Sequence, residues 1–246
     1  GGLRTVVRVV GHALSIPGVR FASLLDPSPL AGSLDRWIDW RQLAANVKGG
    51  EVDSVCVVAT SLATGEPVAF VAGGPKALQE HPDGTIRYVR ADLQGEHVRA
   101  SAAIPMLFPT VEITSPRGAR GHYADGGTRL NSPIKPALHL GADRVILIGL
   151  EPFGRTPATN LASTARPSVA DVAANVLDGL LVDQVANDLH RLAAINSFFV
   201  EDATRGTNGS SRAYRLSRGR GPYRPISYAL VSRQRRGEID RLAETV

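Results

Sequence analysis

Residues 144–149, Arg-Val-Ile-Leu-Ile-Gly, form a continuous apolar run directly behind a segment with helical spacing, and few architectures accept that pair. A strand with no polar alternation is the kind that is covered on both faces. The segment before it, Pro133 to Leu140, has a proline in its first turn, Ile134, Ala137 and Leu138 at helical spacing, and Gly141 just past its end. Those are the start and stop signals of a short helix. A helix feeding a strand of this type is the repeating unit of an α/β fold.

The rest of the chain extends the pattern. Asp35 to Lys48, with Leu34, Trp37, Ile38, Leu43 and Val47 among charges and Gly49-Gly50 at the end, predicts one amphipathic helix. Val52 to Ala59 and Val68 to Ala72 flank the turn residues Thr64-Gly65-Glu66-Pro67 and predict a strand pair. A third strand is expected at Thr85 to Val89 and a helix including Glu96 to Ala103, stopped by Pro105. Ser168, with Asp171 three residues on, caps a helix that continues through Val172, Val176, Leu177, Leu180, Val185, Leu189, Leu192 and Ile195. Thr204 to Gly221 is an aperiodic Arg-rich loop, and Ile226 to Val231 is a last strand before a polar helix. Strands alternating with helices imply a three-layer α/β/α arrangement around a mainly parallel sheet, with residues 1–246 as a single domain.

Composition narrows the classes. A chain of 246 residues with 43% hydrophobic and 21% charged residues can bury a sizeable core and is neither disordered nor collagenous. No apolar run approaches the roughly 20 residues of a membrane-spanning helix, since even Leu177 to Asp183 is broken by carboxylates. The single cysteine, Cys56, sits inside the apolar run Ser54 to Ala59 and is expected to behave as a buried small hydrophobe in a reducing compartment. A net charge of +5 gathers toward the C-terminus, at Arg205, Arg212, Arg215, Arg218, Arg220, Arg224, Arg233, Arg235, Arg236 and Arg241. Such a region can approach anionic lipid headgroups, while nucleic acid is a weaker expectation and a solvated face the simplest one.

The stretch that points to chemistry is Tyr123-Ala124-Asp125-Gly126-Gly127-Thr128. An Asp-Gly-Gly turn puts a carboxylate at a strand end, where the glycines permit positive φ and let another backbone come close. Alone it is a common turn. Around it stand Ala100-Ser101-Ala102-Ala103-Ile104-Pro105-Met106-Leu107-Phe108-Pro109, then Asn131-Ser132-Pro133-Ile134, then Leu140-Gly141-Ala142-Asp143 and the strand after it. With Leu25-Asp26-Pro27-Ser28-Pro29-Leu30, Ala59-Thr60-Ser61-Leu62-Ala63-Thr64-Gly65 and the late Gly237-Glu238-Ile239-Asp240, this order resembles the patatin-like phospholipase family. The resemblance is strongest between Ala100 and Ile148.

It implies a serine hydrolase with a Ser-Asp dyad, acting on phospholipids, neutral lipids or simple esters and needing no metal or organic cofactor. Asp125 is then the base, Gly126 and Gly127 form the active-site turn, and Ile104, Pro105, Met106, Leu107 and Phe108 line an acyl pocket, though plain core explains these five equally well. One departure matters: no G-x-S-x-G occurs in these residues, and Ser15, Ser33, Ser61 and Ser101 lack the glycines a nucleophile elbow needs. The serine and the glycine-rich oxyanion loop are expected on a preceding part of a longer chain, with the first strands of the sheet; a non-catalytic remnant binding lipid or protein is the alternative.

Other motifs carry less. His122 is expected to be an ordinary loop histidine, and His12, His81, His97, His139 and His190 have no metal-ligand spacing. Gly73-Gly74-Pro75-Lys76 lacks the frame of a phosphate loop, and no carboxylate loop has calcium-ligand spacing. The expected setting is the cytoplasm, with peripheral contact to membrane.

Overall fold

The computed structural model describes residues 25–75, 78, 84–105, 107–130, 134–149, 192–194, 196, 217 and 225–232. The chain divides into two compact units, residues 1–131 and 132–246.

Among the described residues, the first unit begins with two helices where the sequence predicts one. Helix α1 spans Ser28–Trp37 and helix α2 spans Trp40–Gly49. The break lies at Ile38 and Asp39, both in extended conformation, and its cause is local. Asp39 turns its carboxylate onto the N–H groups of Arg41 and Gln42, at 3.0 and 2.9 Å, and so caps a new helix start instead of continuing the old one. The stop is where the glycines put it: Gly50 takes φ 83 and its N–H returns to the carbonyls of Asn46 and Val47.

Five strands follow in this unit, β1 (Ser54–Ser61), β2 (Pro67–Gly73), β3 (Arg87–Arg90), β4 (Val111–Ile113) and β5 (Gly121–Asp125). They form one sheet in the order β3-β2-β1-β5-β4. A seven-residue helix, α3 (Gly95–Ser101), packs on β1, β4 and β5. Within it the core gathers Ala59, Val68, Phe70, Ala91, Leu93, Ala100, Ile113, Ala119 and Tyr123. Phe70 is the hub, meeting the rings of His97 and Tyr123 edge-on at centroid distances of 4.8 and 5.3 Å.

The α/β class stands, but this sheet is mainly antiparallel rather than mainly parallel. Only β2 and β3 run parallel; β1–β2, β1–β5 and β4–β5 are antiparallel. Connection length is the reason. A parallel pair needs a crossover of a dozen or more residues, whereas a tight turn can only reverse the chain. Residues 62–66 make such a turn, with Gly65 at φ 72, its N–H on the Ser61 carbonyl at 2.8 Å, and the Ser61 N–H on Glu66 at 2.9 Å. Strand β4 is too short to be read from the sequence.

In the second unit, helix α4 (Ile134–His139) precedes β6 (Arg144–Gly149), which pairs in parallel with β7 (Ser227–Ser232) from Arg144↔Ser227 to Gly149↔Ser232. Val145 and Leu147 are buried with Ile134 and Leu192, while Ile146 and Ile148 remain 71% and 78% exposed. The described residues thus cover one face of a run expected to be covered on both. The Asn196 side chain ties this core to β7, its Nδ2 donating to the Ile226 carbonyl at 2.7 Å and its Oδ1 accepting from the Ile226 N–H at 3.1 Å. The expected helix over 168–195 lies outside the described residues except for helical turns at 192–194, and the loop over 204–221 does so except for Ser217.

Cys56 faces partly into the first unit, and burial pushes its thiol pKa up to about 12. The thiolate is the reactive form, so Cys56 should resist iodoacetamide at neutral pH in the folded chain and react fully once guanidinium unfolds it. Rapid alkylation of the native protein would contradict this placement.

Candidate active site

Strand β5 delivers Asp125 to the end of the sheet beside the first residues after α3. Residues alternate in direction along a strand, so Tyr123 and Asp125 share one face of β5 and His122 and Ala124 the other. His122 is therefore an exposed strand residue on the face away from Asp125, a correction to its expected place in a loop. This geometry gives no Ser-His-Asp triad with His122 as the middle member.

The Asp125 main chain is held at both ends. Its N–H donates to the Ala103 carbonyl at 2.9 Å, just past the end of α3. Its carbonyl accepts from the hydroxyls of Thr128 at 2.7 Å and Thr60 at 3.0 Å, and those two hydroxyls lie 3.1 Å apart. Thr60 reaches in from β1, where Ala59 pairs with Asp125. The next residues, Gly126–Thr128, close as a single 3-10 turn whose first N–H partner is the carboxylate itself, Gly127 donating to Asp125 Oδ1 at 2.7 Å.

Why glycine stands at 126 is now specific. Positive φ is found at Gly50, Gly65, Gly73, Gly74, Gly84, Gly121 and Gly141, whereas Gly126 starts a right-handed 3-10 turn. The expected positive φ is not its role; the expected close approach is. A Cβ on Gly126 would lie 2.4 Å from the Val58 carbonyl oxygen and 2.8 Å from its carbon, both backbone atoms of the adjacent strand. The turn lies flat on β1 only because residue 126 has no side chain.

The half-buried Asp125 carboxyl sits above the usual carboxylate range because burial disfavours its charge, and the Gly127 N–H offsets part of that rise. Among the described residues its only hydrogen bond is the one from Gly127 to Oδ1, so Oδ2 is left to accept a further proton donor. A carboxylate with a raised pKa and one uncommitted oxygen has the features of a general base.

The apolar stretch behind it divides. Phe108 lines a cleft of about 250 Å³ with Pro27, Leu30, Ala103 and Val111, and the charged Arg99 and Glu112 line it too. The Ile104 carbonyl accepts from the N–H groups of Leu107 and Phe108, and the Leu107 carbonyl accepts from the Leu25 N–H. Ile104 and Leu107 are half-buried, Pro105 is exposed, and Met106 lies outside the described residues. Of the five residues expected to line an acyl pocket, the structure puts Phe108 in a cleft. Ala103 joins that cleft to the Asp125 main chain, a link invisible in the sequence because alanine carries no chemical signal. Thr60 and Thr128 were likewise missed as partners of Asp125, since 65 residues separate Thr60 from it along the chain.

Among the described residues, no group of three or more His, Cys, Asp or Glu converges on a metal position, and no helix is long and apolar enough to cross a membrane. The family model for patatin-like phospholipase matches residues 22–138, a span that includes α1, α2, the whole five-stranded sheet and the Asp125 turn. No curated protein matches the chain.

Two outcomes follow from this geometry. Gly126→Ala should destabilise the first unit by roughly 1–3 kcal/mol through overpacking against Val58, read as a lowered midpoint of chemical unfolding; an unchanged midpoint would contradict the close approach. Asp125→Asn keeps the acceptor for Gly127 and removes a charge that burial disfavours. Because the folded carboxyl has a raised pKa, its contribution to stability is present in acid and lost as pH rises through that value. The variant should thus be at least as stable as the parent at neutral pH, with the difference closing in acid, and a variant less stable at pH 7 would count against it.

Proposed function

We propose, from the match of residues 22–138 to the patatin-like phospholipase family model, that this chain is the base-bearing part of a serine lipid acyl hydrolase. The observation that carries the reading is the Asp125 carboxylate, fixed at a strand end by Gly127, with its second oxygen unpartnered among the described residues and a raised pKa. Asp125 takes the proton from a serine hydroxyl as its oxygen attacks the ester carbonyl. It returns that proton to the departing alcohol, and then activates the water that releases the acid. The serine, on a G-x-S-x-G elbow, and the backbone N–H groups that stabilise the oxyanion come from a segment outside these 246 residues, because the motif does not occur among them.

Substrates are acyl esters of phospholipids, neutral lipids or small alcohols. The Phe108 cleft is a candidate place for the acyl chain, and the arginines between 205 and 241 for contact with an anionic membrane surface. The missing motif also supports a second reading, a non-catalytic domain of the same family that binds lipid or protein.

Labelling separates the two. A fluorescent fluorophosphonate should leave this chain unlabelled and label the serine-containing protein, in which Asp125→Asn should lower turnover by about 10²–10⁴-fold. Activity of the intact protein should also fall on acidification at a pH above the ordinary aspartate range, following the raised pKa of the base. Full turnover in Asp125→Asn would remove Asp125 from the mechanism, and an intact protein that never labels would favour the non-catalytic reading.

A further inference from the structure

The Asp125 carbonyl accepts two threonine hydroxyls, one from its own turn and one from the neighbouring strand, and this pair is more than the strand needs. Register places Thr60 opposite Ala124 and Ala59 opposite Asp125, so in an antiparallel pair Thr60 projects on the face opposite the Asp125 side chain. The hydroxyls thus hold the residue from behind, away from the side on which its carboxylate works.

The proton count makes them a unit. Two hydroxyls own two protons, yet three close contacts join Thr60 Oγ1, Thr128 Oγ1 and the Asp125 carbonyl, at 3.0, 2.7 and 3.1 Å. With Thr128 donating to the carbonyl at 2.7 Å, Thr60 donates either to the same oxygen or to Thr128. Removing one hydroxyl leaves the other able to serve the carbonyl; removing both takes away its side-chain donors and leaves it only the main-chain bond of its own 3-10 turn. Thr60 is also 96% shielded from solvent, at 4% exposure, so water does not readily replace its hydroxyl.

We propose that Thr60 and Thr128 are positioning residues: their paired hydroxyls lock the Asp125 peptide against β1 and thereby aim the carboxylate. With the Ala103 carbonyl on the N–H and Gly126 flat against Val58, they complete a three-sided clamp on one residue. The value of such a clamp in catalysis is geometric, since a base displaced by about 1 Å can lose about 10²-fold in rate. The part of the inference that concerns turnover rests on the acyl-hydrolase reading; the part that concerns the carboxylate does not.

The test has two arms, with Thr60→Val and Thr128→Val made singly and together, since valine keeps the shape and drops the hydroxyl. In this chain, carbon NMR of labelled aspartate follows the Asp125 carboxyl through pH. The double variant should titrate closer to the ordinary aspartate value, as the loosened turn exposes the carboxyl, while each single variant moves less. In the serine-containing protein, the double variant should lose about 10- to 100-fold in kcat with KM nearly unchanged, and Thr60→Ser in the Thr128→Val background should restore most of it. An unchanged titration in the folded double variant would overturn the clamp. A shifted titration with unchanged kcat would overturn its role in the reaction. Full turnover in Asp125→Asn would defeat the acyl-hydrolase reading instead, leaving the titration to decide the clamp.

Discussion

The approach of the Asp125 turn to strand β1 is the contact on which the first unit's site depends. Gly126 lies against the Val58 carbonyl with no room for a side chain, and Ala59 pairs with Asp125 one position along. Strand β1 therefore acts as the bed for the turn. It is itself held by β2 through seven paired positions from Ser54↔Gly73 to Thr60↔Pro67, and the inner stretch of β2, from Pro67 to Val71, is buried. A carboxylate at a strand end can be aimed only as well as the neighbouring strand is fixed, and here the neighbour is a central strand of the sheet.

The aromatic cluster transmits the same rigidity from the other side. Phe70 of β2 stands against Tyr123 of β5 and His97 of α3, and the Tyr123 hydroxyl, two residues before Asp125, donates to the Ala119 carbonyl at 2.7 Å. Burial lowers the His97 pKa and keeps the ring neutral, and its Nδ1 accepts from the Gln94 N–H at 3.1 Å in a reciprocal cap of α3. Helix α3 is only seven residues long and would be marginal on its own. Packed against β1, β4 and β5, it ends where Ala103 receives the Asp125 N–H. The polar contacts at the turn and the apolar core beneath it thus belong to one arrangement.

Much of this was legible in the residues. The run at 144–149, the hairpin residues at 64–67, the Gly49-Gly50 stop and the Asp-Gly-Gly turn all act through near neighbours in the chain. Backbone preferences and apolar periodicity therefore announce them locally, and each element stands within a few residues of its expected place. Where the reading failed, competing local signals were at work: Asp39 sits among helix formers yet caps a new helix, and β4 is three residues long. Strand direction failed for a different reason, because alternating strands and helices suggest parallel pairing while the short link between β1 and β2 enforces reversal.

The sequence by itself determined the α/β class and the place of the Asp125-Gly126-Gly127 turn at a strand end. These depend on residue type, order and spacing. Only the tertiary structure decided that His122 faces away from Asp125, that Gly126 is required by the Val58 carbonyl rather than by positive φ, and that Thr60 and Ala103 hold the Asp125 main chain. The last two facts join groups tens of residues apart through plain carbonyls, a hydroxyl and a missing side chain. None of them carries a distinguishing residue signature, so they exist only once the strands are brought side by side.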